Sequence, residues 1–293
     1  MVHASVLLHE SIEGLAIAPG DIILDCTLGN GGHSEAILSL GKDVQIIAFD
    51  LDPDAIARSR ARLAPFASQI TFVNEGFQNI SAVLGRLGIS QVSKVLFDFG
   101  LSSNQLEESG RGFSFLRDEP LLMTFGQKAE LSARDVVNDW SEESLREIIR
   151  GFGEERFAGR IARSIVEARN EKPIESTYEL RTIILGATPT FYHRGRIDPA
   201  TRTFQAIRIA VNSELTAIES GLKQAWEHLA PEGRIAAISF HSLEDRIVKH
   251  YFRSLRESFE GEVITKKPIV PSESEMKANP RSRSAKLRII SKK

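Results

Sequence analysis

Hydrophobic residues in the first hundred positions come in short runs of four to six, separated by polar and glycine-containing turns. Asp21 to Leu24, Val44 to Phe49, Ile70 to Val73 and Lys94 to Asp98 read as buried strands. Between them lie segments of helical character: a helix opening near Glu35, one from Pro53 to about Leu63, and one from Ile80 to Leu87 that stops at Gly88. Asp52 followed by Pro53 is a helix-start signal, because aspartate accepts from the first free amides and proline tolerates the first helical position. Strands alternating with helices predict a mostly parallel sheet covered on both faces. The next convincing strand is Arg234 to Ser239, after a predicted helix from about Asn212 to Leu229 and a turn at Ala230 to Gly233. The interval from Leu101 to about Arg202 is too long for a crossover and carries helical patterns at Glu142–Arg150, Glu155–Asn170 and Ser176–Leu185. The reading is therefore an α/β, doubly wound Rossmann-like sheet made of residues 1–103 and 203–293, with a helical subdomain inserted at 104–202. A further helix is expected from Leu243 to about Ser254 and a last strand at Lys286–Ile290, with Lys277–Ser284 as loop.

Within this frame one turn stands out. Asp25-Cys26-Thr27-Leu28-Gly29-Asn30-Gly31-Gly32-His33-Ser34 joins the first strand to the first helix of the sheet. Glycines there let backbone approach a ligand, and the helix N-terminus offers unpaired amides. A dinucleotide fingerprint wants a third glycine, where this chain has Ser34. Asp25 at the strand end would also repel a pyrophosphate and attract a ligand bearing an amine and a sulfonium. The turn therefore favours S-adenosylmethionine over a nicotinamide cofactor. Asp50, after the second strand, is placed to accept both hydroxyls of a ribose. Asp98 ends the fourth strand, so three carboxylates fall where open α/β sheets bind ligands.

The stretch Asp98-Phe99-Gly100-Leu101-Ser102-Ser103 suits the handling of an exocyclic amine. Such an amine is a poor nucleophile, because its lone pair is delocalised into the base. A carboxylate or carbonyl that accepts its hydrogen bonds can align it with a methyl group. Asp98 and Ser102 are thus candidate catalytic residues, joined by His241 in Ser239-Phe240-His241-Ser242-Leu243-Glu244-Asp245 after the fifth strand. In that stretch Ser242 and Asp245 have the spacing of a helix cap. Arg156, Arg160 and Arg163 share a predicted helix face and are candidates for phosphate contacts. No metal set is expected, since the histidines are scattered and a single cysteine cannot build a thiolate site.

Composition narrows the class. With 293 residues, 42% of them hydrophobic and 26% charged, the chain reads as a soluble globular protein. No apolar run approaches membrane-spanning length, and Glu10 interrupts the amino-terminal apolar stretch, so neither a membrane nor a secretory signal is expected. Together with the lone Cys26, this points to a cytoplasmic protein. The net charge of −2 hides an asymmetry: Ile264 to Lys293 carries six Lys, three Arg and two Glu, a charge of +7 that leaves −9 on the rest. A basic segment containing Lys277, Arg281, Arg283 and Lys286 on an acidic body fits a local polyanion contact.

Taken together, these segments resemble the bacterial 16S rRNA cytosine-N4 methyltransferases (MraW-like enzymes). The resemblance rests on His3–Glu10 (HASVLLHE), Thr27–Ser34, Phe49–Ala55, Asp98–Leu106, Arg111–Asp118, Gly153–Ile165, Pro199–Glu214, Ile238–Lys249 and Asn279–Arg288, in order along nearly the whole chain. It implies an S-adenosylmethionine-dependent class I methyltransferase acting on a cytidine in the decoding region of small-subunit rRNA. DNA is not expected as a partner, and a homodimer is left open. It also implies cofactor contacts from Gly31, Gly32, His33, Asp50, Phe77, Asp98 and Gln105. One departure stands out. The family's Pro-Leu-Asp-Met-Arg-Met-Asp is here Pro120-Leu121-Leu122-Met123-Thr124-Phe125-Gly126, which lacks two acids and an arginine. That loss motivates an alternative, a noncatalytic ribosome-assembly factor that retains the cofactor fold.

Overall fold

The structure is a computed structural model that describes residues 5–126, 129–195 and 197–293; His3 and Ala4 of the amino-terminal segment lie outside them. In chain order its elements are α1 Leu8–Leu15, β1 Ile22–Asp25, α2 Gly32–Leu38, β2 Gln45–Phe49, α3 Pro53–Arg62, β3 Ile70–Val73, α4 Ile80–Leu87 and β4 Val92–Asp98. There follow α5 Ser103–Glu107, α6 Ala133–Asp139, α7 Glu142–Gly151, α8 Ala158–Glu171, α9 Thr177–Ala187 and α10 Ala200–Asn212. The chain closes with α11 Glu214–His228, β5 Leu229–Ser239, α12 Ser242–Glu257, β6 Gly261–Val263, α13 Glu273–Ala278 and β7 Lys286–Lys292. Two compact units result. The first comprises Met1–Gly100 and Leu215–Lys293, the second Leu101–Glu214.

The first unit holds a seven-stranded sheet in the order β3-β2-β1-β4-β5-β7-β6. β3, β2, β1, β4 and β5 are mutually parallel, while β7 runs antiparallel to both of its neighbours. This is the doubly wound α/β sheet read from the alternation of strands and helices. Successive strand residues point to opposite faces. Leu24, Ile47, Phe49, Val95, Phe97, Ile235 and Ala237 enter a core with Leu84 of α4, Leu222 and Trp226 of α11 and Phe252 of α12. Their neighbours Ile23, Ile46, Ala48, Leu96, Ala236 and Ile238 enter a second core with Leu15 of α1, Ile37 of α2 and Ile56 of α3. Burial on both faces explains why these strands read as continuous apolar runs rather than alternations. β1 lies between β2 and β4, so the strand order reverses there, and the carboxyl ends of β1 and β4 open the ligand crevice of such sheets.

Three features depart from the sequence reading. The residues read as a turn, Ala230–Gly233, lie inside β5 as an irregularity: Leu229 pairs with Val92 and Arg234 with Lys94, so five steps on one strand match two on the other. The predicted helix start at Asn212 falls on the last residue of α10, and Ser213 at φ 49° separates it from α11. Lys277–Ser284, read as loop, forms the end of α13 and a 3-10 turn at Pro280–Ser284. Short elements carry too few turns to display an apolar period. The basic segment is therefore largely folded, and Lys286 and Arg288 on β7 are engaged by Asp245 at 3.1 and 2.7 Å.

The second unit is helical. Val136 and Val137 of α6, Leu145 and Ile149 of α7, Ile161 and Ile165 of α8, Leu180 and Ile184 of α9 and Phe204 and Ile207 of α10 form its core. Serine caps at Ser132, Ser141 and Ser176 begin α6, α7 and α9. α8 begins at Ala158, so Arg156 lies before the helix and not on a face shared with Arg160 and Arg163. The unit extends to Glu214, beyond the sequence boundary at 202, because α10 packs into this core. Among the described residues, no helix is long and apolar enough to cross a membrane.

One local signal can be measured directly. Gly88 ends α4 at φ 69°, its amide bonded to Gly85 O, with nothing within 4 Å of a Cβ built there. Gly88→Ala is therefore expected to lower stability through backbone strain alone, by about 1–2 kcal/mol. Urea unfolding should show a lower midpoint with an unchanged slope; an unchanged midpoint would mean the left-handed cap does not form in solution.

Candidate active site

Because β1, β2 and β4 are parallel, their carboxyl ends bring Asp25, Asp50 and Asp98 to one edge of the first unit. Asp25 is the most buried, 1% exposed. It accepts from Ser34 Oγ at 2.6 Å and from the Thr27 amide at 3.2 Å. Burial nevertheless pushes its carboxyl above the usual range. This is the physical reason for a serine in the third loop position: Ser34 pairs with the strand-end aspartate that a dinucleotide loop would not carry there.

The glycine turn is shaped by the protein around it. Gly31 sits at φ 74° as the residue before α2, and a Cβ there would press on Ser59 and Leu63 near α3. A Cβ on Gly32 would collide with Ser5 Oγ. From the other side, Ser59 Oγ donates to Gly29 O at 2.9 Å and Arg62 to Asn30 O at 3.1 Å, while Arg62 also pairs with Glu35. The turn is thus clamped by α3 before any ligand arrives.

Asp50 reaches across to this turn. Its Oδ2 accepts from the Gly29 amide at 2.8 Å and its Oδ1 from the Asp52 amide at 2.9 Å. A carboxylate oxygen has more than one acceptor direction, so each retains capacity for a hydroxyl. Burial raises Asp50 to about 6, the two amides working against it and Asp52 and Asp25 adding to it.

Asp98 is raised further than Asp50. Its own amide donates to Thr27 Oγ1 at 2.6 Å, fixing the strand end to the turn. Its Oδ2 lies 3.8 Å from His33 Nδ1, and its Oδ1 is buried with no hydrogen-bond partner among the described residues. Burial, then the charges of Asp25 and Glu244, lifts Asp98 to about 7, against a lowering bond from the Gly100 amide. A buried acceptor left unmatched is costly unless a donor arrives. His33 is 5% exposed, with Nε2 3.2 Å from Val6 O.

Phe77, on a 3-10 turn after β3, meets Phe97 edge-on at 5.5 Å and Phe99 at 5.9 Å. Gly221 on α11 makes room for its ring. The first unit therefore brings together Gly31, Gly32, His33, Asp50, Phe77 and Asp98.

The remaining candidates have evident local roles. Ser102 and Gln105 belong to the second unit and form the capping box of α5: Ser102 Oγ accepts the Gln105 amide at 3.2 Å, and Gln105 Oε1 accepts the Ser102 amide at 3.0 Å. His241 is the residue before α12, with Glu244 as its capping partner. The cap read at Ser242 and Asp245 is thus displaced by one residue, because α12 begins at Ser242. Asp245 instead holds Lys286 and Arg288.

Two contributors escaped the sequence reading. Glu244, 1% exposed, accepts the amides of Phe240 and His241 at 2.7 and 3.1 Å and raises Asp98. Phe240 lies so close to Gly100 that no Cβ would fit there. No motif spacing marks either; only the parallel pairing of β4 and β5 brings them to the Asp98 end.

The family model and the curated relatives agree in family. The model of the MraW methylase family matches residues 1–293. A Synechococcus elongatus protein named ribosomal RNA small subunit methyltransferase H is 50% identical over 287 residues, covering 98% of this chain and 93% of that protein. The Brevibacillus brevis protein of the same name is 46% identical over 306 residues, covering 99% and 98%. The crystal structure of an rRNA methylase from Streptococcus thermophilus superimposes with TM-score 0.47 at 11% identity, covering 100% of this chain and 98% of that one.

Proposed function

The chain belongs to the MraW methylase family, and on that premise we propose that it transfers a methyl group from S-adenosylmethionine to N4 of a cytidine in the decoding region of small-subunit rRNA. The observation that carries this reading is Asp98: a strand-end carboxylate, raised to about 7, with one buried oxygen lacking a donor. An exocyclic amine supplies such a donor.

The residues of the first unit fit the cofactor. Asp50 has an acceptor direction on each oxygen for the two ribose hydroxyls, and Phe77 offers a ring beside the adenine or methionine. The carboxylates of Asp25 and Asp98 suit an amine and a sulfonium. When bound, the cofactor supplies an electrophilic methyl group. In the transfer one methyl–sulfur bond breaks, one nitrogen–carbon bond forms, and the amine loses one proton. Asp98 accepts hydrogen bonds from the amine, holds its lone pair toward the methyl group and takes up the proton that is lost. Ionised Asp98 is the competent form, so alignment and proton acceptance share one group. The Gly100 amide favours that ionised form.

The altered segment Leu122–Gly126 motivates a noncatalytic alternative, yet its path in the helical unit is held through backbone groups. Arg111 donates to Thr124 O and Phe125 O at 3.1 and 2.9 Å, while Asn212 accepts from the Phe125 amide at 2.9 Å and donates to Met123 O at 2.7 Å. Those bonds do not depend on the side chains that differ from the family. Incubation with tritiated S-adenosylmethionine and undermethylated small subunits tests the reading: label in the rRNA is expected, and cofactor binding without label would leave the assembly-factor role.

A proton linkage follows. Asp98 at about 7 and Asp50 at about 6 are partly protonated near pH 6.5. A sulfonium favours the ionised carboxylate, so binding is expected to release protons and affinity to rise with pH from about 5.5 to 7.5. S-adenosylhomocysteine, which lacks the sulfonium charge, should release fewer. Calorimetry at pH 6.5 in buffers of different ionisation enthalpy measures both; equal release would remove the charge from the account.

A further inference from the structure

In the helical unit the guanidinium of Arg156 lies over three aromatic rings: Phe157 and Tyr192 at 4.8 Å each, and Phe191 at 5.7 Å. Two of these rings are locked in place. Phe157 and Tyr192 meet edge-on at 5.0 Å, and the Tyr192 hydroxyl donates to Glu155 Oε2 at 2.6 Å. Glu155 Oε1 accepts the Phe157 amide at 2.8 Å. Thr188 Oγ1 and His193 Nε2, 2.9 Å apart, brace the turn that carries Phe191.

Phe191 itself is 64% exposed. A large ring held at a braced turn and left open to water offers a flat face on which a planar group can stack. Among the described residues the exposed charge around it is mostly positive. Arg156, Arg160 and Arg194 are exposed, whereas Glu155 is 1% exposed and committed to Tyr192 and Phe157. Arg163 stands 3.8 Å from Glu142, and Arg202 donates to Glu154 O. Glu154 is the one exposed acid in the segment 153–165.

We propose that this arginine–aromatic cluster is a docking surface for single-stranded RNA, in which Phe191 stacks on an unpaired base and Arg156, Arg160 and Arg194 meet the neighbouring phosphates. The proposal rests on the reading of rRNA as substrate. An aromatic platform accepts any base through its π-face, and arginines beside it supply the charge that tracks a backbone. A protein partner would want a larger apolar area and acidic counterparts. An unpaired strand supplies both bases and phosphates. Arg156, stacked on the rings, orients the platform and contributes charge at once.

Fluorescence anisotropy with a labelled short single-stranded RNA, on the full chain at several salt concentrations, tests the surface. Phe191→Ala is expected to weaken binding about tenfold with the salt slope retained, and Phe191→Trp to restore it. Arg160→Ala with Arg194→Ala should flatten the logarithmic salt slope by about 1.4, the value for two lost single-strand phosphate contacts. S-adenosylmethionine affinity should be unchanged in each, which shows the variants folded. Wild-type RNA affinity in Phe191→Ala together with a wild-type slope in the arginine pair overturns the surface, even where the protein methylates small subunits. Loss in both variants supports it, even where no methyl group is transferred and the enzymatic reading falls.

Discussion

Asp98→Asn is expected to slow methyl transfer by about 10²–10⁴-fold, the range for removal of a positioned proton acceptor, while RNA affinity changes little. Asparagine keeps the volume and leaves the amide bond to Thr27 Oγ1 intact, since that bond uses the main chain. What is lost is the ionised acceptor, which acts most strongly as the amine gives up its proton. The effect therefore belongs to turnover. The pH profile adds a second readout. Ionised Asp98 is the active form; its value of about 7 belongs to the free protein and falls when the sulfonium binds, so wild-type activity should rise with pH through a value below 7. The asparagine variant should lose that limb. Single-turnover rates at saturating RNA, measured from pH 5.5 to 8.5, decide the matter. Equal losses in rate and in RNA affinity would reduce Asp98 to a binding residue.

Asp50→Ala is expected to weaken S-adenosylmethionine binding by about 1–3 kcal/mol, the cost of leaving buried hydroxyls without acceptors. Two effects add. The ribose loses its acceptors, and the amides of Gly29 and Asp52 lose theirs, so the glycine turn loosens as well. Asp50→Asn separates them, because the amide oxygen can still accept from one backbone donor. A smaller loss is expected there. Calorimetry supplies both affinities, and circular dichroism shows whether the fold survives. Unchanged affinity in a folded Asp50→Ala protein would remove Asp50 from the site.

The strands that build this site were legible because parallel strands buried on both faces must be apolar throughout. Ile46, Ile47, Ala48 and Phe49 declare β2 with no partner in view, and Asp52 with Pro53 declares the start of α3. Strand-end aspartates follow once the strands are placed. α10 was missed although its end was placed: the helix start read at Asn212 is its last residue, and Ser213, a non-glycine residue at φ 49°, separates it from α11. The role of Gly31 was legible only in part. Its positive φ fits a tight turn, but the pressure of Ser59 and Leu63 on it comes from a segment about thirty residues later. Glu244 was hidden in the same way. Its neighbour Asp245 has the cap-like spacing from Ser242, and only the observed start of α12 shows that His241 and Glu244 form the cap. Ser102 and Gln105 illustrate the converse, since the spacing that fits a site also closes a capping box.

The central claim, methylation at the exocyclic amine of a cytidine, is tested most directly by nucleoside mass spectrometry. Undermethylated small subunits are incubated with the protein and S-adenosylmethionine, and the rRNA is digested to nucleosides. N4-methylcytidine is expected to appear in wild-type reactions and to fall by at least a hundredfold in initial rate with Asp98→Asn. Methylation at a ring carbon or a ribose oxygen, or no methylated nucleoside at all from protein shown to bind the cofactor, would contradict it.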